Sequence, residues 1–491
     1  MAMQRILPVT HELALFDIAH TRALEQRAAA SLPAGALMAR AGEAAARLAL
    51  ALAPHAQHVW VAAGPGNNGG DGLEAACHLQ RWGKDVVVSL IGDATSLPRE
   101  ALARARAAGV CIDGAITDAP DLAIDALLGI GASRAPEGTL ASAIQRLNAL
   151  PCPVLAIDLP SGLHADTGQP LGDACVRATH TLTMLTLKPG LFTAAGRDHA
   201  GVIWLDALGV DAAADAPQAW LSGVRPVQPR RHAQHKGSFG DVAVVGGGLG
   251  MSGAALLAAR AAHAAGAGRV FVNMLDADAA ALDPLRPELM FRQAWTRSAP
   301  EVLGASTVVC GCGAGDAVRA PLPRLISLAH RLVLDADALN ALAGDAALWP
   351  LLRARAGRGL STVLTPHPLE AARLLGCTTA EIQADRLHAA HELAARFACV
   401  IVLKGSGSVI AAPAQVPHIN STGNAALATA GTGDVLAGWL GGRWAQAGSG
   451  DEAATAFAVT VQAVAEHGAA AEPAPSGALL AGDLIERLHR R

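Results

Sequence analysis

The chain has 491 residues, 52% of them hydrophobic and 16% charged, with a formal net charge of −4. That length suits two or three domains with sizeable cores, and the composition excludes a disordered chain. The mild negative charge, the lack of any Lys/Arg run, the absence of tyrosine and the 3% aromatic content leave neither an electrostatic nor a stacking basis for binding nucleic acid.

The opening Met-Ala-Met-Gln-Arg-Ile-Leu-Pro has no signal-peptide core, and the apolar stretch 44–53 is short and carries Arg47. A soluble, cytoplasmic protein with no membrane partner is expected. The cysteines at 77, 111, 152, 175, 310, 312, 377 and 399 show no disulfide framework. Cys310 and Cys312 lie close together without a Cys/His partner pair at zinc spacing, so small buried side chains are expected there.

Residues 11–53 read as helical, broken into two helices at Pro33-Ala-Gly35. Short apolar runs at 58–63, 85–91, 122–125, 154–158 and 180–185 then alternate with Ala-rich helical segments. After a stretch rich in Ala, Asp and Pro at 209–229, a second series follows at 241–245, 269–273, 307–310, 331–335, 362–365 and 400–403. Strands alternating with helices predict an α/β fold with mainly parallel sheets. Two three-layer α/β domains are expected, at 1–222 and 223–491, with no visible internal repeat.

In open α/β sheets the ligand lies beyond the carboxyl ends of the strands, so the residues after each strand are the site candidates. The first strand enters Gly64-Pro-Gly-Asn-Asn-Gly-Gly-Asp-Gly72, which matches the Rossmann Gly-x-Gly-x-x-Gly pattern, with Asp93 after the next strand. Asn67, Asn68 and Asp71 crowd a loop that normally offers only backbone to a pyrophosphate. They suit a cation or polar ligand atoms, or else Asx caps in a Gly-rich turn. Two further strands end in Asp125 and in Asp158-Leu-Pro-Ser161-Gly162. Asn68, Asp125 and Ser161 would form a hard-oxygen set for a cation, leaving Asp158 for acid–base chemistry. Lys188 reads either as a second proton-handling group or as a surface lysine at a turn.

In the second half, Gly248, Gly250 and Gly253 repeat the Rossmann pattern, with Asp276 beyond the next strand. The far end of that half argues against a dehydrogenase. Lys404-Gly-Ser-Gly-Ser408 is a basic loop suited to a nucleotide phosphate or ribose. Thr429-Ala-Gly-Thr-Gly-Asp434 leads into an apolar helix whose first amides would hold an anion. A carboxylate beside a phosphate makes sense where it takes a proton from a hydroxyl that attacks the phosphoryl group. The alternative is an acid in a first helical turn, stabilised by the dipole. His367, between Pro366 and Pro368, reads as a substrate contact or a turn histidine. Asp335 and Asp337 read as holders of Mg²⁺ on a phosphate or as helix caps.

Taken with Leu37-Met-Ala-Arg-Ala-Gly42, Gly246-Gly-Gly-Leu-Gly-Met-Ser-Gly-Ala254 and Thr365-Pro-His-Pro368, these motifs resemble a known family over nearly the whole chain. The first half resembles NAD(P)H-hydrate epimerase and the second the ribokinase-like NAD(P)H-hydrate dehydratase, fused as in the bifunctional repair enzymes. The resemblance implies that Asn67, Asn68, Gly69, Gly70, Asp71, Gly129, Ile130, Gly131, Ala132, Ser133, Arg134, Ala135 and Asp158 bind hydrated NAD(P)H. It assigns K⁺ to Asn68, Asp125 and Ser161. It places Ala254, Gly315, His367 and Asp434 on the hydrate in the dehydratase half. It gives Lys404, Gly405, Ser406, Gly407, Ser408 and Gly433 to the adenine nucleotide, which is ADP or ATP, with Mg²⁺. Asp434 and Asp158 are the implied catalytic residues, the substrates are NADHX and NADPHX, and a homo-oligomer is expected. Two departures stand out: Leu140 aligns where the family has tyrosine, and Gly311-Cys-Gly-Ala-Gly315 replaces Gly-Pro-Gly-Leu-Gly.

Overall fold

Strand residues alternate between two apolar environments, and this is what gives each sheet a core on both faces. Val59, Val61 and Ala63 join one buried cluster while Trp60 and Ala62 join another. Val242 and Val244 likewise face one core and Ala243 and Val245 the other. The computed structural model describes residues 3–93, 96–114, 119–213, 215–226, 230–448, 452–472 and 477–490. Contacts divide the chain into Met1–Leu7 with Ala14–Ala219, and Pro8–Leu13 with Trp220–Arg491.

In the first unit the sheet order is Gln4–Arg5, Val202–Asp206, His180–Met184, Val154–Ile157, Leu122–Ala126, His58–Ala63, Asp85–Leu90, Cys111–Ile112. All neighbours pair in parallel except Gln4–Arg5, which runs antiparallel to Val202–Asp206. In the second unit the order runs Met290–Phe291, Arg269–Met274, Asp241–Gly246, Ser306–Cys310, Arg331–Leu334, Ser361–Leu364, Val400–Leu403, Val409–Ala411, His418–Asn420 and on to Ala219–Ser222. Val409–Ala411 is the antiparallel element, pairing with Val400–Leu403 and with His418–Asn420.

Residues 11–53 depart from the expected pair of helices. Helices span Ile18–Ser31 and Ala36–Leu52, but Leu13–Leu15 is a strand. The first helix starts late because Asp17 caps it, its carboxylate accepting from the His20 amide at 2.8 Å. The stretch 209–229 is not purely a connection either, since Trp220, Leu221 and Ser222 pair in parallel with His418, Ile419 and Asn420. Positions 214 and 227–229 of that stretch lie outside the described residues.

Alanine and glycine content is used for close helix packing. The helices Ser252–Ala264 and Thr432–Ala445 approach backbone to backbone: a Cβ on Gly438 would lie 1.9 Å from the Ala258 carbonyl oxygen and one on Gly442 2.4 Å from that of Ala262. This contact fixes the first turn of Thr432–Ala445, which carries Asp434.

Candidate active sites

In the first unit the strand order reverses between His58–Ala63 and Leu122–Ala126. The loops leaving these strands diverge and open a cavity of about 1050 Å³ at the carboxyl ends. Asn67, Asn68, Asp71, the loop 129–135, Asp158, Lys188 and Leu140 line it. Gly69 and Gly70 do not reach its wall. They pack inside the helix Asn67–Arg81, where a Cβ would lie 1.9 Å from the Gly64 carbonyl oxygen or 2.8 Å from Met38 Sδ.

Asp158 sits at φ +68°, in the left-handed region, a strain of the kind found at functional positions. Its Oδ1 accepts from Lys188 Nζ at 2.6 Å and its Oδ2 from the Ile130 amide at 2.9 Å. Lys188 is 1% exposed and also donates to Thr183 Oγ1 at 2.9 Å and to the Met184 carbonyl at 2.7 Å. All three ammonium hydrogens are thus engaged, and Lys188 is not a surface lysine. Gly129 allows the loop to approach: a Cβ there would lie 3.1 Å from Asp158 Oδ2 and 3.3 Å from Asn68 Oδ1.

Asp125 is fully buried, and burial pushes its carboxyl up to about 6. Its oxygens accept from Ser161 Oγ at 2.6 Å, the Ser161 amide at 2.8 Å and the Leu127 amide at 3.2 Å. No basic side chain pairs with it among the described residues. Asn68 Nδ2 is buried without a partner. Hard oxygen donors around an uncompensated buried carboxylate are a donor set that fits a cation.

In the second unit the order reverses between Asp241–Gly246 and Ser306–Cys310. The two loops that follow are bound to each other, Gly247 N–H donating to the Cys312 carbonyl at 3.0 Å and Gly248 N–H to that of Gly313 at 2.6 Å. Gly311 has φ +122°, and a Cβ there would lie 1.9 Å from the Asp335 carbonyl oxygen; Gly313 has φ +55° and touches the Ala254 side. These constraints explain why glycines stand on both sides of Cys312.

The helix Thr432–Ala445 begins at Gly431 (φ +89°) with no side-chain cap; the Thr432 amide donates to the Thr429 carbonyl at 3.4 Å, and the Gly433 and Asp434 amides stay open. Asp434, half-buried in that turn, is pushed up to about 6, first by burial and then by Asp335. The nearby Cys312 thiol favours its carboxylate form. Cys312 Sγ and one carboxylate oxygen each from Asp335 and Asp434 lie within 4.8 Å of one another. Lys404 Nζ binds Asp335 Oδ1 at 2.7 Å. A Cβ on Gly433 would lie 3.5 Å from Lys404 Nζ. Lys404, Asp335, Gly433 and Asp434 thus form one cluster.

Several expected residues have structural tasks. His367 caps the helix Pro368–Leu375, its Nδ1 accepting from the Leu369 amide at 3.1 Å and the Glu370 amide at 3.3 Å. Asp337 accepts from the Gly315 amide at 2.8 Å, and Asp335 is neutralised by Lys404. Gly405, at φ +140°, covers the buried Arg386, which donates to the Leu403 and Lys404 carbonyls at 3.1 and 3.2 Å. Ser408 Oγ turns back to the Gly405 carbonyl at 3.1 Å.

Sequence reasoning passed over Glu25, which lines the first cavity. It also missed Glu370, which burial pushes up to about 7 near Lys404, and His467, whose Nε2–H donates to the Thr432 carbonyl at 2.9 Å. Glu370 was signalled by the capping-box spacing from His367; Glu25 and His467 carry no local signal.

The NAD(P)H-hydrate dehydratase family pattern matches residues 242–490, and that of the YjeF-related protein N-terminus matches residues 34–190. The bifunctional NAD(P)H-hydrate repair enzyme Nnr of Escherichia coli K12 is 38% identical, over 92% of this chain and 88% of its own length. The chain belongs to the bifunctional NAD(P)H-hydrate repair enzymes. It is an enzyme with an epimerase half and a nucleotide-dependent dehydratase half. The repair enzyme of Coxiella burnetii is likewise 38% identical, over 92% of this chain and 93% of its own. Among solved structures, the ADP/ATP-dependent NAD(P)H-hydrate dehydratase of Bacillus subtilis, co-crystallised with ATP/Mg²⁺, is 29% identical, covering 54% of this chain and 92% of its own with a TM-score of 0.43. No helix among the described residues is long and apolar enough to cross a membrane.

Proposed function

We propose that Asp434 is the base of the dehydratase half and that ADP or ATP supplies the phosphoryl group. Hydrated NAD(P)H carries a hydroxyl on C6 of the nicotinamide ring, and hydroxide leaves poorly. Asp434 takes the hydroxyl proton and the oxygen attacks the terminal phosphoryl group. The open amides at the start of Thr432–Ala445 and the Lys404 ammonium hold the charge in flight. Phosphate then departs, a proton is lost from C5, and the dihydropyridine is restored. With Asp335 and Asp337 engaged elsewhere, Mg²⁺ would travel on the nucleotide phosphates. Ala254, Gly315 and His367 belong to the hydrate side of this site, and Lys404 to Ser408 with Gly433 to the nucleotide side.

The epimerase half interconverts the R and S hydrates, so that one stereospecific dehydratase clears both. Asp158, oriented by Lys188 and the Ile130 amide, handles protons there. Asn68, Asp125 and Ser161 would hold K⁺, which supplies the positive charge that the buried Asp125 lacks. A cytoplasmic homo-oligomer acting on both NADHX and NADPHX is part of the same reading.

The observation that carries the dehydratase assignment is a carboxylate of raised proton affinity in the first turn of an uncapped helix, beside a lysine. The test supplies hydrated NADH with ADP or ATP and follows recovery of dihydropyridine absorbance together with phosphate release. Asp434→Asn should lose both by at least about a hundredfold, the usual contribution of a general base. A variant as active as the parent would refute the role.

A further inference from the structure

The Asp71 carboxyl has no hydrogen-bond partner among the described residues although the residue lines the epimerase cavity. Asp158, from the strand end, and Glu25, from the helix Ile18–Ser31, line the same cavity, and Glu74 lies one turn on along its own helix; the charge of all three raises the proton affinity of Asp71. Two of the nearby cations are committed elsewhere, and the third, Arg22, stands in the cavity wall. Lys188 is bound to Asp158 at 2.6 Å, Arg104 of the helix Arg99–Ala107 to Glu74 at 2.6 Å, and Arg22 neighbours Glu25 and the Gly131 edge of the loop. The helix Ala36–Leu52 contributes only the apolar Leu37, Met38 and Ala41 to the cavity wall.

Resting on the epimerase reading of this half, we propose that Asp71 is its catalytic acid, giving a proton to the ring nitrogen of the hydrate while Asp158 takes one from the hydroxyl. The hydroxyl-bearing carbon of the hydrate is bonded to the ring nitrogen, so it is a hemiaminal. Asp158 removes the O–H proton and the freed pair becomes the C=O π bond. The C6–N1 bond breaks, its electron pair goes to nitrogen, and nitrogen takes the Asp71 proton. Rotation about C5–C6 turns the other face of the aldehyde to the nitrogen. Ring closure returns the nitrogen proton to Asp71 and the Asp158 proton to oxygen, so no oxidant or co-reactant is needed.

The surroundings divide the labour. Asp158 is ion-paired and takes an amide N–H; Asp71 has neither contact. Burial, reinforced by Asp158, Glu25 and Glu74, holds the Asp71 carboxyl well above the usual carboxylate range, the direction that leaves a proton on it.

The test uses the full chain without nucleotide, which silences dehydration, and separates the R and S hydrates by chromatography. The parent must interconvert them; failure there would sink the epimerase reading itself and not the assignment of Asp71 within it. Asp71→Asn should retain hydrate binding by calorimetry and lose turnover by at least about a hundredfold. Parental turnover in that variant overturns the proposal. Glu25→Gln removes a like charge facing Asp71, so the alkaline limb of the rate profile should move to lower pH. A merely structural role for Asp71 would not move that limb, and an unmoved limb overturns the assignment whether or not Asp71→Asn folds.

Discussion

Replacing Cys312 by alanine tests the Asp434 base through its one thiol donor. That thiol, its Sγ within 4.8 Å of an Asp434 carboxylate oxygen, favours the carboxylate, while burial and Asp335 oppose it, with the balance at about 6. A hydrogen bond to a charged group contributes about 1.5–3 kcal/mol. A thiol is a weak donor, so about 1 kcal/mol is the appropriate scale here, or roughly 0.7 of a pH unit. The carboxylate is the active form of a base, so kcat/KM rises with pH through this value. Without the donor the carboxylate is less favoured, and the acidic limb of the Cys312→Ala profile should move upward from about 6 by roughly that amount. Well below the limb the rate should fall about fivefold, since 1.4 kcal/mol is tenfold, and on the alkaline plateau it should hold. Cys312→Ser, which keeps a donor, should move the limb less. The assay is dihydropyridine recovery from the S hydrate with ADP across mildly acidic to mildly alkaline pH. Superimposed profiles for parent and Cys312→Ala would show that Asp434 does not set the limb.

Lys188→Met removes the cation from a pair buried at 1% and 13% side-chain exposure, so it should abolish epimerisation and cost about 3 kcal/mol in urea unfolding; unchanged stability would mean that the pair contributes nothing net. Gly129→Ala places a Cβ 3.1 Å from Asp158 Oδ2 without backbone strain and should lower epimerase kcat/KM about tenfold; parental kinetics would show that the loop yields freely. His467 is buried and its ring is pushed down to about 4 from 6.5. Above 6.5 both folded and unfolded states are neutral there. Below it the unfolded state gains a proton that the folded state refuses, so stability falls with pH until about 4, by about 3 kcal/mol in all. His467→Asn should flatten that decline in urea midpoints measured against pH, and an unaltered slope would place the acid sensitivity elsewhere.

The sites were legible where chemistry sits at the end of an apolar strand. Asp125, Asp158 and Lys404 follow such runs directly, because a parallel sheet delivers its carboxyl ends to one edge. Residues on the wall opposite the strands left no such trace. Glu25, in Arg22-Ala-Leu-Glu25, has the spacing of any partly exposed helix, and only the fold turns it toward the cavity. Cys312 looked like a small core residue, and it is buried; its second property, a thiol aimed at a carboxylate, depends on partners remote in sequence. His367 was ambiguous because a ring nitrogen after a strand can cap a helix as readily as touch a ligand, and capping is what its Nδ1 does. The short strands Val409–Ala411 and His418–Asn420 escaped notice because they follow Gly- and Pro-rich turns and are too brief to show a period.

On the proposed roles, the two halves would solve opposite proton-transfer problems with the same components. Each has a lysine bound to one aspartate, the buried Lys188 to Asp158 at 2.6 Å and the half-buried Lys404 to Asp335 at 2.7 Å. Beside each pair stands a second aspartate whose proton affinity is raised by burial and by the first. What separates them is the donor inventory around that second acid. Asp434 receives the Cys312 thiol and feels Lys404, which limits the rise to about 6 and leaves it a carboxylate at neutral pH, ready to accept a proton. Asp71 receives no donor and feels the charge of three carboxyls, which favours the protonated form that the proposed acid needs. On the proposed roles, the direction of proton transfer at each site would follow from the neighbours of that second acid, a thiol and a lysine beside Asp434 and carboxyls beside Asp71. Phosphorylating a hydroxyl demands the first arrangement and opening a hemiaminal at its nitrogen demands the second.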